Sequence, residues 1–417
     1  MKHRSILLVA AAPLCTGLAL SAGPSFGGTT STRTTTYAFN SSGYGTRLAG
    51  GQVPAGSKTT GFEAIGCTNQ AGKSKSNDVA SADIPGLGTA TGIKTHVWTT
   101  SRHGVVASHS THTIAELTLA SSGVGSLTLD AIKAKARAFH NSSGFHATTK
   151  TKVGGITFTP PVGSPQTYPA PTPDQPVVVP GLATIYAAKS IHRHSASDAL
   201  AEAVALRIDV VPTSTSVRVA HATARLGSGL TGGIFNGHSA ATHVVTAAGD
   251  VAKSGPNPLS LMPCEGTGGV RRHKADAFTD LGGQLIVKGA ASTQRGTQGD
   301  HRAHGFEKGE VAKLNLGGGQ LIVDGIVGRV NVRRTPDGVK KSTRGTQLGA
   351  ITASGQPQTF PPTGVLEIPG VARLERKVVD RSPSGISVIA LRITLLDGSG
   401  AVINLGEAAL HVQRLPH

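Results

Sequence analysis

Apolar and polar residues alternate with a period of two along several segments of this 417-residue chain. In 126–132, leucines at 127 and 129 alternate with polar residues, which is the pattern of a strand with one buried face. The same alternation predicts strands at 95–99, 113–119, 217–224, 284–287, 320–323 and 402–405. Turn formers such as Asp397-Gly398 separate these segments, as hairpins between antiparallel strands require. We therefore predict an all-β chain.

The chain also contains two copies of one unit. Segment 114–119 (IAELTL) matches 311–316 (VAKLNL), and 205–208 (ALRI) recurs at 390–393. The matches stay in order along the chain, which indicates a duplication with deletions in the loops of the second copy. We place repeat one at 37–229 and repeat two at 230–417. We expect two tandem homologous β-sandwich-like units that are either closely packed or share strands.

Two segments need separate interpretation. The Ala, Leu and Glu residues of 198–208 favour a helix, but the matching segment around 386–395 is rich in β-branched residues. Because the two copies should share one fold, we predict a strand in both. A proline-rich stretch at 160–180 cannot join the middle of a sheet, so we interpret it as a long connection over the surface. A recognition loop is the alternative role.

The N-terminus has the pattern of a secretory signal peptide. Lys2, His3 and Arg4 precede an apolar run at 6–20, and small residues follow it. This arrangement predicts a signal peptide at 1–22, followed by a flexible segment at 23–36. Leu14 stands before Cys15 where a lipobox requires a small residue, so we do not expect lipidation. No second apolar run reaches the ~20 residues of a membrane-spanning helix, so we predict no membrane span.

Two cysteines, Cys67 and Cys264, remain in the predicted mature chain, one in each copy at the same repeat position. Disulfides persist in the oxidising surroundings of an exported protein. If the copies pack about a pseudo-two-fold axis, equivalent residues can face each other across it. We therefore interpret Cys67 and Cys264 as a disulfide candidate. The alternative is two separate thiols, each buried in its own copy.

The chain carries a formal net charge of +17 and has a pI near 10.2. Cationic proteins are attracted to anionic surfaces of many kinds. The densest basic clusters comprise Arg271, Arg272, His273 and Lys274 in one segment and Arg333, Arg334, Lys340 and Lys341 in another. Nucleic-acid-binding proteins combine such charge with aromatic platforms or a recognisable motif. With few aromatic residues and no such motif, we interpret the charge as a solvated basic surface and expect no specific nucleic-acid partner.

No residue pattern indicates catalysis or a cofactor. The close histidines are His103, His109 and His112, and His192 with His194. A zinc site needs three or four convergent ligands, and copy two does not repeat the His192–His194 pair, so we predict no metal site. There is no nucleophile elbow and no repeated carboxylate pair, so we predict no catalytic residue. The sole tryptophan, Trp98, lies in a predicted strand, where we expect it in the core.

The openings of the two copies carry a family resemblance. Segment 37–45 (YAFNSSGYG) precedes Cys67, and Phe235-Asn236-Gly237 precedes the segment 263–267 (PCEGT) in copy two. These features resemble the exported choice-of-anchor P family. The resemblance implies a secreted, β-rich region covering nearly all of the mature chain, and it implies no activity or site residue. Members differ in their C-terminal anchor. This sequence has no sortase-type motif with a hydrophobic tail, so we expect release or loose wall association.

These features together favour a secreted, non-catalytic extracellular or cell-surface protein with a structural, adhesive or binding role. An anionic cell-wall polymer or another surface protein is the expected partner, because the charge suits the former. The alternative is a secreted hydrolase or metal-binding protein that uses the histidine-rich segments. The sequence leaves the ligand and the oligomeric state open.

Overall fold

The computed structural model describes residues 32–50, 59–84, 86–121, 123–245, 254–281, 285–398 and 400–415. The predicted signal peptide at 1–22 lies outside the described residues, as does 23–31 of the segment expected to be flexible. Residues 33–36 of that segment lie in the first strand. The first strand begins at Arg33, because Arg33 and Thr34 pair with Ala71 and Gln70 of the next strand.

Copy one contributes fourteen of the described strands. They are β1 (Arg33–Gly50), β2 (Glu63–Ala71), β3 (Ser74–Ile84), β4 (Gly88–Arg102), β5 (Val105–Ser121), β6 (Gly125–Asn141), β7 (Gly144–Lys152), β8 (Gly155–Thr159), β9 (Gln166–Tyr168), β10 (Val177–Val179), β11 (Ala183–Ala187), β12 (Ile191–His194), β13 (Asp198–Val210) and β14 (Thr215–Gly227).

Copy two contributes another fourteen. They are β15 (Ile234–Val245), β16 (Ser254–Asn257), β17 (Ser260–Leu261), β18 (Arg272–Leu281), β19 (Leu285–Gly299), β20 (Arg302–Leu316), β21 (Leu321–Thr335), β22 (Gly338–Ser342), β23 (Ile351–Ala353), β24 (Gln356–Gln358), β25 (Val365–Ile368), β26 (Ala372–Ser382), β27 (Gly385–Leu395) and β28 (Val402–Gln413). Gly317–Gly319 forms a short 3-10 helix between β20 and β21.

The strands form four antiparallel sheets of seven. Sheet I has the order β10-β11-β13-β14-β1-β2 with β12 on β13, and sheet II the order β3-β4-β5-β6-β8-β9 with β7 on β6. Sheet III has the order β16-β15-β28-β27-β26-β25 with β17 on β15, and sheet IV the order β18-β19-β20-β21-β23-β24 with β22 on β21. Sheets II and IV share one topology. Sheets I and III share the order of their long strands but differ in the position of the extra short strand, which is β12 on β13 in sheet I and β17 on β15 in sheet III. The predicted all-β fold of two homologous sandwich-like units is confirmed.

Each copy buries its own apolar core between two sheets. In copy one, Leu117 and Leu129 of sheet II join Ile208 of sheet I in one buried cluster. In copy two, Leu314 of sheet IV and Leu405 of sheet III belong to the corresponding cluster. Every described strand pairs within its own copy, so the described parts of the two units share no strand.

Both uncertain segments are now placed. The segment at 198–208 lies in β13, where Leu206 and Ile208 are buried, so the strand predicted from the repeat is confirmed. The proline-rich stretch runs from the edge strand β9 of sheet II to the edge strand β10 of sheet I. It therefore connects the two sheets of copy one, and its short strands lie only at sheet edges, where a missing N–H is tolerated.

A disulfide joins the two copies. Cys67 in β2 and Cys264, which follows β17, form a bond with a Cα–Cα distance of 5.2 Å. The alternative of two separate thiols is wrong. The cysteines lie in a small buried cluster with Ala38 and Ile234, so apolar side chains from both copies surround the bond. The copies are thus closely packed at this junction, one of the two arrangements expected.

An ion-pair network lies beside the disulfide. The Arg225 guanidinium of copy one contacts a carboxylate oxygen of Glu265 in copy two at 2.5 Å, and it contacts Asp198 at 3.3 Å.

Among the helices of the described part of the chain, none is long and apolar enough to cross a membrane.

Candidate functional site

The outward faces of sheets II and IV carry the most distinctive side chains of the described chain. Hydrogen bonds to the facing sheets establish which residues point outward. Ser108 and Ser110 of β5 donate to backbone carbonyls of sheet I, so His109 between them points away from the core. In β20, Glu307 accepts a hydrogen bond from Ser239 of sheet III, so Phe306 lies on the opposite face.

Sheet IV carries a strongly basic cleft of about 500 Å³. We call it the arginine cleft and define it by five of the six Arg and Lys residues in its lining, namely Arg271, Arg295, Arg329, Arg333 and Lys340. No carboxylate is among the described residues that line it. An uncompensated group of cations at one open cleft is a site of positive potential that attracts anions.

Strand register brings these cations together. Arg295 of β19 is paired with Phe306 of β20, and Phe306 is paired with Asn331 of β21. In the next row, Arg333 of β21 is paired with Lys340 of β22. Residues in register on antiparallel strands point to the same face, so side chains distant in sequence become neighbours.

Phe306 forms the floor of the arginine cleft and holds its guanidinium groups. The ring is buried, and the Arg329 guanidinium carbon lies 4.3 Å from its centroid, with that of Arg271 at 5.9 Å. Arg329 Nε also donates to Asn331 Oδ1 at 3.0 Å. A guanidinium that is stacked and hydrogen-bonded in this way loses less conformational entropy when it binds an anion.

The field of the arginines acts on the neighbouring imidazole. Burial lowers the pKa of His304, and the positive charges of Arg295, Arg333 and Arg302 lower it further. His304 is therefore neutral at neutral pH, and the guanidinium groups carry the positive charge of this face.

The predicted basic clusters contribute to this cleft only in part. Arg271 and Arg333 line it, although 62 residues (333 − 271) separate them in the chain. Arg334 contacts sheet III instead, where its Nε donates to the Val412 carbonyl at 2.7 Å. Lys341 lines the cleft, but its Nζ donates to the Ser382 carbonyl of sheet III at 2.6 Å. Phe306, Arg295 and Arg329 belong to none of the basic clusters, so no pattern in the sequence pointed to them.

The equivalent face of copy one, on sheet II, carries a row of rings that crosses four strands. We call it the ladder face, defined by His96, Trp98, His109, Arg137, Phe139 and His146. The Trp98 ring stacks on His96 at 4.5 Å and on His109 at 4.6 Å between centroids. The expectation that Trp98 lies in the core is wrong, because its neighbours Val97 and Thr99 are the buried residues of β4.

The row continues from Trp98 toward β7. The Arg137 guanidinium carbon lies 4.1 Å from the centroid of Phe139, whose ring stacks on His146 at 4.9 Å. Burial lowers the pKa of His109 to about 4, with Arg137 and His96 as further causes. His109 is therefore neutral at neutral pH. A stack of a neutral imidazole on indole adds rigidity without adding charge.

The histidines considered for a metal site do not converge. His109 lies on the ladder face, whereas His112 is buried between the sheets and its Nδ1 lies 2.7 Å from Thr95 Oγ1. His192 Nε2 lies 2.8 Å from Thr149 Oγ1. In the described ranges, no group of three His, Cys, Asp or Glu side chains could hold a metal ion.

Two carboxylates of copy two have contrasting surroundings. Burial raises the pKa of Glu307 well above its usual range, although Ser239 donates to it at 2.7 Å. Burial alone would also raise the pKa of Glu407, but hydrogen bonds with His238 and His243 lower it to about 2. Burial thus disfavours the charged form of Glu307, whereas the histidines keep Glu407 ionised at neutral pH.

No known protein-family model matches this chain, and no curated protein matches it in sequence. The resemblance to the choice-of-anchor P family therefore stays an expectation that rests on the residues quoted for it.

Proposed function

We propose that this protein is an exported, non-catalytic binding protein that attaches to an anionic polymer of the cell surface through the arginine cleft. The observation that carries the proposal is the composition of the cleft, in which Arg271, Arg295, Arg329, Arg333 and Lys340 meet without a carboxylate in the lining. Cations placed together without counter-charges repel one another, and a bound anion relieves that repulsion.

The chemistry of the cleft suits a phosphate-bearing polymer. A guanidinium group offers a planar fork of donors that matches the oxygens of a phosphate or carboxylate, and it stays charged at every physiological pH. The net charge of +17 adds long-range attraction to a polyanion. A polymer with many anionic groups can contact the five cations of the cleft at once.

The cellular location belongs to the same proposal. The N-terminal sequence has the order of a secretory signal, with Lys2 and Arg4 before the apolar run. The disulfide between Cys67 and Cys264 supports a location outside the reducing cytosol. The resemblance to an exported β-rich family points in the same direction.

The test is a titration of the oxidised protein with fluorescently labelled long-chain polyphosphate at several salt concentrations. The variant R295E/R333E reverses two charges of the cleft, and R381E reverses one exposed charge on β26 of sheet III. We expect the cleft variant to lose about tenfold or more in affinity and R381E to stay within about twofold. Affinity of the natural protein should fall as salt rises. Equal losses in both variants would refute the cleft as the site.

A further inference from the structure

The ladder face differs from an open aromatic platform in the way its rings stand. The planes of Trp98 and His109 are within 2° of parallel, and their centroids are 4.6 Å apart on neighbouring strands. Adjacent strands are themselves about 4.8 Å apart. The two rings therefore stand upright on the sheet, face against face, and they present their edges to solvent.

The other rings of the ladder also have neighbours against their faces. His96 stacks on Trp98 at an angle of 19°, and Phe139 lies between the Arg137 guanidinium and His146. The edge of an aromatic ring carries partial positive charge, whereas its face carries partial negative charge. The ladder thus presents positive edges outward, and its ring faces are already occupied.

Two rows of lysines and hydroxyls lie beside the ladder on the same face. Strand pairing places Ser76, His96, Thr111, Lys135 and Lys150 in one row across β3 to β7. The next row contains Asp78, Lys94, Thr113, Lys133 and Lys152 in the same order of strands.

The lysine rows carry an excess of positive charge. Asp78 is the one carboxylate in the two rows, and it lies 3.5 Å from Lys94 in an exposed ion pair. Lys133, Lys135, Lys150 and Lys152 take part in no ion pair with the described residues. Four cations therefore stand next to one another on β6 and β7, without a counter-charge.

We propose that the ladder face is a second, independent binding site, and that its ligand is an acidic polysaccharide. The lysines would bind the carboxylates of the sugar acids. The hydroxyls of Ser76, Thr111 and Thr113, which lie in the same rows on β3 and β5, would exchange hydrogen bonds with sugar hydroxyls. The positive ring edges favour the same anionic chain. This site goes beyond the proposed function, because it can bind whether or not the arginine cleft does.

The arrangement of the rings argues against a single-stranded nucleic acid at this face. Proteins that bind such strands gain affinity by stacking bases on open aromatic faces. The faces of Trp98 and Phe139 are covered by His96, His109, Arg137 and His146. A base could stack there only after the ladder is broken.

The test uses the full-length oxidised protein and labelled polygalacturonate, with polymer anisotropy for affinity and Trp98 emission for location. Trp98 is the sole tryptophan of the chain, so its emission reports on the ladder face and not on the arginine cleft. The variant K135E/K150E should bind polygalacturonate about tenfold more weakly or worse. The control K288E, an exposed charge reversal on β19 of copy two, should bind within about twofold of the natural protein.

Three results separate the alternatives. The variant R295E/R333E should still bind polygalacturonate, and the polymer should still change its Trp98 emission. If this variant alone loses both the binding and the emission change, the polymer binds in the arginine cleft and the proposal is overturned. An oligo-dT of matched charge should bind the ladder face at least about tenfold more weakly. Strong quenching of Trp98 emission by oligo-dT would overturn the proposal of an acidic polysaccharide and favour a nucleic acid as the ligand. Matching thermal melts of K135E/K150E and K288E exclude misfolding, and K135A/K150A replaces a variant that melts early.

Discussion

Removal of the disulfide tests how the two copies depend on each other. The change is Cys67→Ala together with Cys264→Ala, which leaves no buried hydroxyl in the apolar cluster around Ala38 and Ile234. The bond closes a loop with a sequence separation of 197 residues. In the chain-entropy model, a loop of this length restricts the unfolded state by about 5 kcal/mol at 25 °C.

The loss is smaller if copy two unfolds while copy one stays folded. The unfolded loop then runs from the end of β14 at Gly227 to Cys264, which is 37 residues (264 − 227). The same model gives about 4 kcal/mol for that loop. Both values are a large fraction of the 5–15 kcal/mol that stabilises a typical domain, so the effect is well within reach of measurement.

Urea denaturation with two probes measures this effect. Trp98 emission reports copy one, where the sole tryptophan lies, and far-ultraviolet circular dichroism reports the strands of both copies. We expect the double variant, and the natural protein after reduction, to lose about 4–5 kcal/mol of unfolding free energy. Coincident transitions in the natural protein would indicate one cooperative unit. A loss below about 1 kcal/mol would refute the view that the bond restrains the unfolded chain.

Two further substitutions test the core of copy two. Glu307→Gln should raise stability at neutral pH by about 1–3 kcal/mol, because the neutral amide avoids ionisation of a buried group. The pKa of Glu307 is higher in the folded than in the unfolded state. Its contribution to the free energy of unfolding is therefore complete at low pH and is lost as pH rises through the folded pKa. Denaturation curves taken across pH should show this loss in the natural protein and not in the variant. Gly309→Ala should destabilise by about 3 kcal/mol, because its methyl would come 2.1 Å from the Ala240 carbonyl oxygen of the facing sheet. In the control Gly66→Ala, the atom nearest to the added methyl group is 3.6 Å away, so the melting temperature should not change. Equal melting temperatures of the two alanine variants would contradict the close approach of Gly309 to the facing sheet.

The fold was accessible from the sequence because its signals are local or repeated. Period-two alternation identified most of the long strands. The duplication corrected the helical propensity of 198–208, since the matching strand β27 carries Ile386, Val388 and Ile389 where copy one has alanine-rich sequence. The same duplication placed Cys67 and Cys264 at equivalent positions, which made a bond between them the economical interpretation.

The candidate sites were not accessible in this way, because they depend on strand register. Arg295, Phe306 and Asn331 lie on three different strands, and no linear motif connects them. A comparison of the copies contains a partial signal: Trp98 and His109 correspond to Arg295 and Phe306 at the same offset of 197. The ring of Trp98 is replaced by the cation of Arg295, and the imidazole of His109 by the phenyl ring of Phe306, so residue identity alone does not reveal the shared outward face.

The placement of Trp98 failed for a physical reason. A lone tryptophan in a strand is usually counted among core residues, since burial of its large ring is favourable. Here, stacking on two imidazoles covers much of the ring on the outward face, and Val97 takes the buried position beside it. The sequence contains both histidines, but their contact with Trp98 exists only in the folded sheet.

Arginine footprinting of the protein with and without bound polyphosphate would locate the polyanion site residue by residue. Phenylglyoxal modifies accessible guanidinium groups, and mass spectrometry locates each modified residue. We expect the bound polymer to protect Arg271, Arg295, Arg329 and Arg333, while Arg381 on sheet III reacts as before. Protection spread evenly over the arginines of the chain, or absent from these four, would contradict a polyanion site in the arginine cleft.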